Sequence, residues 1–130
     1  MRQSRLRVAV VDDEETVRRA LGRFFLAAGY DVETYGSGSE FLTAASENRP
    51  DCAVIDVHLT GLTAMDVLDR LAAAGIEMPT VVVTGRHLPG VVERALASGA
   101  SVCLRKPLDG DTLLHAVTSA VHRAERDGGR

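Results

Sequence analysis

The side chain of this sequence most suggestive of chemistry is Asp56, a carboxylate at the end of an apolar run. The run, residues 52–59 (CAVIDVHL), shows no polar alternation before Asp56, which is typical of a strand buried on both faces of a sheet. A charge in such a place is costly unless it is paired or used. We therefore interpret Asp56 as a nucleophile that accepts a phosphoryl group.

Other polar side chains also follow apolar runs: Asp12 and Asp13 after the first, Thr84 after the fourth and Lys106 after the fifth. At the edge of a parallel sheet these groups would meet Asp56, and three neighbouring carboxylates repel one another unless a hard cation neutralises them. Mg²⁺ suits this set because it prefers oxygen ligands and keeps positions open for phosphate oxygens. Lys106 would then supply a positive charge to the phosphoryl group, and Thr84 a hydroxyl hydrogen bond.

The elements that must position these groups are predicted from hydrophobic periodicity. Apolar runs predict four strands, at 6–11, 52–56, 79–85 and 101–104, and the alternating pattern of residues 31–35 predicts a fifth, weaker strand at an edge of the sheet. Apolar residues at helical spacing follow each strand, with capping-box spacings at Ser37–Glu40 and Thr63–Asp66, a short helix over 88–98 and a last helix from about Asp109. This alternation predicts an α/β fold of parallel strands with right-handed crossovers and helices on both faces.

Composition narrows the function classes. The chain has 130 residues, 45% of them hydrophobic, and a net charge of -3, which fits one globular domain and disfavours direct binding to a nucleic-acid backbone. No apolar run approaches the length of a membrane span and the N-terminus has no signal-peptide core, so we expect a cytoplasmic protein without membrane contact. Cys52 and Cys103 lie in apolar runs, and we expect them to remain unpaired.

The ordered set Asp12-Asp13, Asp56, Thr84-Gly85 and Lys106-Pro107 resembles the receiver domain of bacterial two-component response regulators, from Leu6 to about Ala124. The resemblance implies a flavodoxin-like three-layer sandwich whose parallel sheet has the strand order 2-1-3-4-5. The sequence is most similar to receivers that precede a DNA-binding output domain. We therefore expect a receiver domain over residues 1–124 and a tail or linker over 125–130.

The resemblance also implies the chemistry. A sensor histidine kinase or a phosphotransfer protein would donate the phosphoryl group to Asp56, and the domain would catalyse only its own Mg²⁺-dependent phosphorylation and dephosphorylation. Mg²⁺ would be held by Asp13, Asp56 and the backbone carbonyl of His58, with Asp12 acting through water. Phosphorylation would draw Thr84 inward and change a binding face over residues 88–124, through which the domain would form a homodimer.

Some residues depart from the family pattern. Cys103 stands where most receivers have a Tyr or Phe, whose ring turns inward when the residue at the position of Thr84 moves toward the phosphoryl group. Thr60 and Ala64 stand where most receivers have Pro and Gly. His58 and Arg86 lie two residues after Asp56 and Thr84, and we hypothesise that they tune the loss of the phosphoryl group.

These departures leave an alternative open, namely a receiver that binds partners without productive switching. An enzyme or flavoprotein on the same topology fits less well. A haloacid-dehalogenase-type hydrolase needs a second Asp at the position of His58, and a flavodoxin needs a phosphate loop and aromatic residues that this sequence lacks.

Overall fold

Strands and helices alternate along the described chain, which covers residues 5–85 and 89–128 of a computed structural model. The strands are β1 (Arg7–Val11), β2 (Asp31–Tyr35), β3 (Cys52–Asp56), β4 (Thr80–Thr84) and β5 (Val102–Arg105). The helices are α1 (Glu15–Ala27), α2 (Gly38–Glu47), α3 (Ala64–Ala73), α4 (Val91–Ala97) and α5 (Gly110–Gly128). Within the described residues, no helix combines the length and apolar character that a bilayer crossing needs.

The five strands form one parallel sheet in the order β2-β1-β3-β4-β5, which confirms the predicted fold. The central strand β3 pairs with β1, where Val11 lies opposite Ile55, and with β4, where Asp56 lies opposite Val83. This register brings the carboxyl ends of β1, β3 and β4 to the same level of the sheet edge. The polar residues that follow or end these strands are thereby placed side by side.

The sheet separates two hydrophobic cores because alternate strand residues point to opposite faces. One core contains Val8, Val10, Val54 and Val81 and is covered by α1 and α5. The other contains strand residues such as Ile55 and Val82 and is covered by α2, α3 and α4. All residues of β3 and β4 are buried, whereas the edge strand β2 is partly exposed, as its alternating sequence predicts.

Local polar interactions fix where α2 and α3 begin. The predicted capping box of α3 is complete, since Thr63 accepts from the Asp66 amide and Asp66 accepts from the Thr63 amide. At α2 only half of the box forms: the Ser37 hydroxyl accepts from the Glu40 amide, but the Glu40 carboxylate accepts from the Gly36 amide instead. Either arrangement satisfies amides that a helix start leaves without partners.

Two helices differ in length from their predictions. Helix α4 begins at Val91, directly after Gly90, whose φ of 80° lies outside the helical region, while residue 88, at which we predicted its start, lies outside the described residues. Helix α5 runs to Gly128, past residue 124, at which we placed the end of the domain. Its final turns are charged and carry no apolar periodicity, so hydrophobic patterning did not predict them. The domain boundary itself stays a prediction.

The two cysteines are free and lie on different sides of the sheet. Cys52 belongs to the core under α1 and α5, and burial raises the pKa of its thiol to about 12. Cys103 packs against the core under α2, α3 and α4, and burial raises its thiol pKa as well.

Candidate functional site

Three carboxylates converge where β1 and β3 end. Asp12 and Asp13 follow β1, Asp56 is the last residue of β3, and each offers one oxygen such that the three oxygens lie within 4.8 Å of one another. Asp12 and Asp56 are buried, while Asp13 is the most accessible of the three. The sheet register therefore produces the cluster that the sequence predicted.

Asp12 is held by the turn between β1 and α1. Its Oδ1 accepts the Glu14 amide at 2.9 Å, and its own amide donates to the Tyr35 carbonyl at 3.1 Å. Arg18 donates to the Asp12 carbonyl oxygen at 2.8 Å. Burial raises the pKa of Asp12, and the neighbouring negative charges add to that effect, while the Glu14 amide and Lys106 oppose it.

The two oxygens of Asp56 have different surroundings. Oδ2 accepts the His58 amide at 3.0 Å, which fixes the plane of the carboxylate. Oδ1 is buried and receives no hydrogen bond from the residues that the structure describes. The Lys106 ammonium lies 3.4 Å from Oδ1 and forms an ion pair with it without the geometry of a hydrogen bond. Oδ1 is thus an oxygen that lies beside a positive charge and can still accept a further bond.

Thr84 and Lys106 reach the site from the two strands beyond β3. Thr84 ends β4 and is buried, and its carbonyl accepts the Lys106 amide at 2.8 Å, which ties the end of β4 to the segment after β5. A Cβ at Gly85 would lie 3.4 Å from the Lys106 side chain, so the absence of a side chain there leaves room for the lysine stem. The cis peptide bond of the site joins Lys106 to Pro107.

The remaining predicted residues have different positions. His58 is exposed, and Cys103 lies on β5, where it is half-buried and packs against the core that α2, α3 and α4 cover. Arg86 lies outside the described residues. The structure therefore brings the acids and Lys106 together, with Thr84 at the end of the adjacent strand.

Two features of the site were not predicted from the sequence. Thr60 donates to Asp13 Oδ2 through both its amide, at 3.1 Å, and its hydroxyl, at 2.6 Å. A cavity of about 520 Å³ also opens beside Asp56, with a largely apolar lining that includes Val17, Leu21, Val54, Leu108 and Leu113. Neither feature follows a sequence period, because each joins residues that are distant in the sequence.

The donor set fits a hard divalent cation. Each of the three groups contributes carboxylate oxygen, the ligand type that Mg²⁺ prefers, and Asp56 Oδ1 receives no hydrogen bond from the described residues. Lys106 provides one positive charge against three carboxylates. A divalent cation would remove the remaining repulsion.

The comparisons with known proteins agree with this geometry. A family model described as the response regulator receiver domain matches residues 8–118. The chain is 35% identical over 116 residues to nodulation protein W of Bradyrhizobium diazoefficiens, covering 89% of this chain and 51% of that protein. It is 31% identical over 123 residues to the transcriptional regulatory protein FixJ of Azorhizobium caulinodans, covering 95% of this chain and 58% of that protein.

A solved structure is also similar. The response regulator receiver domain protein of Clostridium thermocellum superposes with a TM-score of 0.86 at 27% identity, covering 92% of this chain and 97% of that chain. The chain therefore matches that solved domain over nearly its full length, but spans about half the length of the two curated relatives.

Proposed function

We propose that this chain, which belongs to the response regulator receiver domain family, accepts its phosphoryl group on Asp56. Receiver domains are the phosphoacceptor switches of two-component signalling, and this chain is such a domain. The observation that carries the assignment of the residue is Asp56 Oδ1, which is buried, receives no hydrogen bond from the described residues and lies 3.4 Å from Lys106.

The proposed donor is a phosphohistidine on a sensor histidine kinase or a phosphotransfer protein. Asp56 Oδ1 attacks phosphorus, the O–P bond forms as the P–N bond breaks, and the electron pair of the P–N bond returns to the imidazole. The His58 amide on Oδ2 keeps the carboxylate oriented during the attack. Lys106 offsets the charge of the transferred group from its position beside Oδ1.

The proposed metal ligands are Asp13, Asp56 and the backbone carbonyl of His58, with Asp12 contributing through water. Bound Mg²⁺ would neutralise the carboxylates and polarise the phosphoryl oxygens. Support comes from the mutual approach of the three carboxylates and from the burial of Asp12, which together with the charges of Asp56 and Asp13 raises the pKa of this carboxyl group.

The same domain would remove its own phosphoryl group by admitting water to the acyl phosphate, which releases phosphate and restores the carboxylate. We propose that His58 and Arg86 set the rate of this hydrolysis. Thr84 would move toward the phosphoryl group and Cys103 would respond at β5, where it packs against the core that α4 covers. A thiol is much smaller than an aromatic ring. The proposed movement of Cys103 at β5 is therefore smaller than the movement of a Tyr or Phe ring at this position would be.

The proposed output is a change in the face formed by α4, β5 and α5, which leads to homodimerisation and acts on a transcriptional output. Support for transcription comes from the relative FixJ, whose name describes a transcriptional regulatory protein and of which this chain spans 58%.

Phosphorylation is tested by incubating the protein with Mg²⁺ and acetyl phosphate and measuring its intact mass. Wild type and the matched control Asp69→Asn, an exposed carboxylate on α3, are expected to gain one phosphoryl group, while Asp56→Asn gains none. Omission of Mg²⁺ is expected to abolish the adduct. An adduct of equal yield on Asp56→Asn contradicts the assignment, and absence of any adduct on wild type favours a receiver that only binds partners.

A further inference from the structure

We propose that Thr60 is a positioning residue for the divalent cation, because it holds the Asp13 carboxylate in the orientation that the cation requires. This inference rests on the proposed function, since it concerns the same metal site. It adds a residue that does not itself touch the cation but fixes one of its ligands. The residue lies in the loop between β3 and α3.

Thr60 contacts the Asp13 carboxylate through two hydrogen-bond donors. One oxygen, Asp13 Oδ2, accepts both the Thr60 hydroxyl at 2.6 Å and the Thr60 amide at 3.1 Å. The hydroxyl distance lies in the range of about 2.5–2.7 Å that is typical of O–H donors to an ionised carboxylate. Two donors from one residue fix the plane of the carboxylate, and neither bond uses Oδ1.

The same loop is also attached to the second carboxylate. The His58 amide donates to Asp56 Oδ2 at 3.0 Å, two residues before Thr60. The segment from His58 to Thr60 therefore bridges Asp56 on β3 and Asp13 on the β1–α1 turn, whose positions in the sequence are 43 residues apart. The bridge sets the spacing between two proposed ligands, and the proposed third ligand, the His58 carbonyl, belongs to the bridge itself.

Orientation of this kind matters for a cation with strict geometry. Mg²⁺ demands nearly octahedral coordination, so a ligand that is free to rotate must be ordered when the ion binds. Groups that hydrogen-bond to metal ligands typically change metal affinity by about 10–100-fold when they are removed. Because Thr60 is exposed and water competes for its hydrogen bonds, we expect an effect near the lower limit of that range.

The test is the dissociation constant for Mg²⁺, measured by isothermal titration calorimetry on the full chain. Thr60→Val removes the hydroxyl at nearly constant shape, and we expect it to weaken Mg²⁺ binding about tenfold. Thr60→Ser restores the hydroxyl and is expected to bind within about twofold of wild type. The matched control is Thr43→Val on α2, an exposed threonine whose hydroxyl donates only to the Ser39 carbonyl, and its affinity should equal that of wild type.

Thermal unfolding of the metal-free proteins separates positioning from folding. All three variants are expected to unfold at the wild-type temperature, because the altered hydrogen bonds are exposed. If Thr60→Val binds Mg²⁺ as tightly as wild type or more tightly, the inference is wrong. If it binds weakly but also unfolds early, while Thr60→Ser behaves likewise, the effect is structural and the inference is wrong as well.

Failure of the proposed function gives a different result. Asp13→Asn should abolish Mg²⁺ binding if Asp13 is a ligand. Wild type that binds no Mg²⁺ overturns both the metal site and the role of Thr60. Loss of binding in Asp13→Asn with unchanged binding in Thr60→Val overturns only the role of Thr60.

Discussion

Asp12 is a buried carboxyl group that lies beside two other carboxylates, and its ionisation state is coupled to folding. Burial is the largest cause of its raised pKa, and the charges of Asp56 and Asp13 contribute further. The folded chain therefore binds a proton here at pH values where the unfolded chain, with a pKa of 3.8, has lost it. Stability associated with Asp12 consequently falls as the pH rises above 3.8 and is lowest when the group is ionised.

We predict that Asp12→Asn stabilises the metal-free protein at neutral pH by about 1 kcal/mol. The amide removes the charge and keeps an oxygen that can accept the Glu14 amide. The gain should shrink as the pH falls and should disappear below 3.8, where the wild-type carboxyl is protonated in both the folded and the unfolded state. Urea denaturation at several pH values checks this, and a variant that is less stable than wild type at neutral pH would contradict it.

Single residues of the site could be predicted from the sequence where a strand places them. Asp12, Asp56, Thr84 and Lys106 follow apolar runs, and parallel pairing brings such positions to one edge. The bond between Thr60 and Asp13 could not be predicted in this way. It joins two irregular loops, and no sequence period specifies which loop side chains will meet.

Helix packing is close at some glycines and open at others. Gly38 begins α2, and a Cβ at this position would lie 2.6 Å from the Val67 side chain on α3. Gly22 lies within α1, and a Cβ there would meet only an ordinary contact, 3.4 Å from Thr34. These two positions therefore test how tightly the helices are seated.

We predict that Gly38→Ala lowers the free energy of unfolding by about 1–3 kcal/mol, because Val67 or α2 must shift. Gly22→Ala is the matched control and should be neutral or raise stability by up to about 1 kcal/mol, since alanine is the better helix former. Chemical denaturation of the two variants measures both effects. A Gly38→Ala protein as stable as wild type would show that α2 and α3 are not packed as described.

Secondary structure elements were predicted best where hydrophobic patterning determines them. β3 and β4 are buried on both faces, and their uninterrupted apolar runs predicted them with nearly correct ends. The start of α4 was wrong because the left-handed Gly90 precedes it, and the last turns of α5 were missed because they contain charged residues. The apolar period does not specify either end.

At the level of the whole molecule, the described residues include two large apolar side chains that are exposed. Leu96 on α4 is 47% exposed, and Leu26 on α1 is 53% exposed. Leu96 lies on α4, which is part of the proposed α4-β5-α5 dimer face, whereas Leu26 lies on α1, which is not. The pair therefore provides a test with a matched control.

We predict that phosphorylation converts the protein to a dimer and that Leu96→Glu prevents this, because a charge would be buried in the interface. Leu26→Glu should still dimerise. Sedimentation velocity measures the association, and intact mass verifies that both variants are phosphorylated. Dimerisation of Leu96→Glu combined with its loss in Leu26→Glu would place the interface at α1 and contradict the proposal.

The order of the strands illustrates what the alternation of elements leaves undetermined. Alternating strands and helices predict parallel pairing, but several orders satisfy that rule. The order 2-1-3-4-5 came from the resemblance of the strand-end residues to receiver domains, and the sheet confirms it. The resemblance, and not the alternation of elements, therefore predicted the topology.

The central claim is that Asp56 carries the phosphoryl group, and chemical trapping tests it most directly. Borohydride reduces an aspartyl phosphate to homoserine, so treatment of the phosphorylated protein followed by peptide mass spectrometry locates the modified residue. We expect homoserine at Asp56, and aspartate retained at Asp12 and Asp13. Homoserine at Asp12 or Asp13 with unmodified Asp56 would contradict the claim.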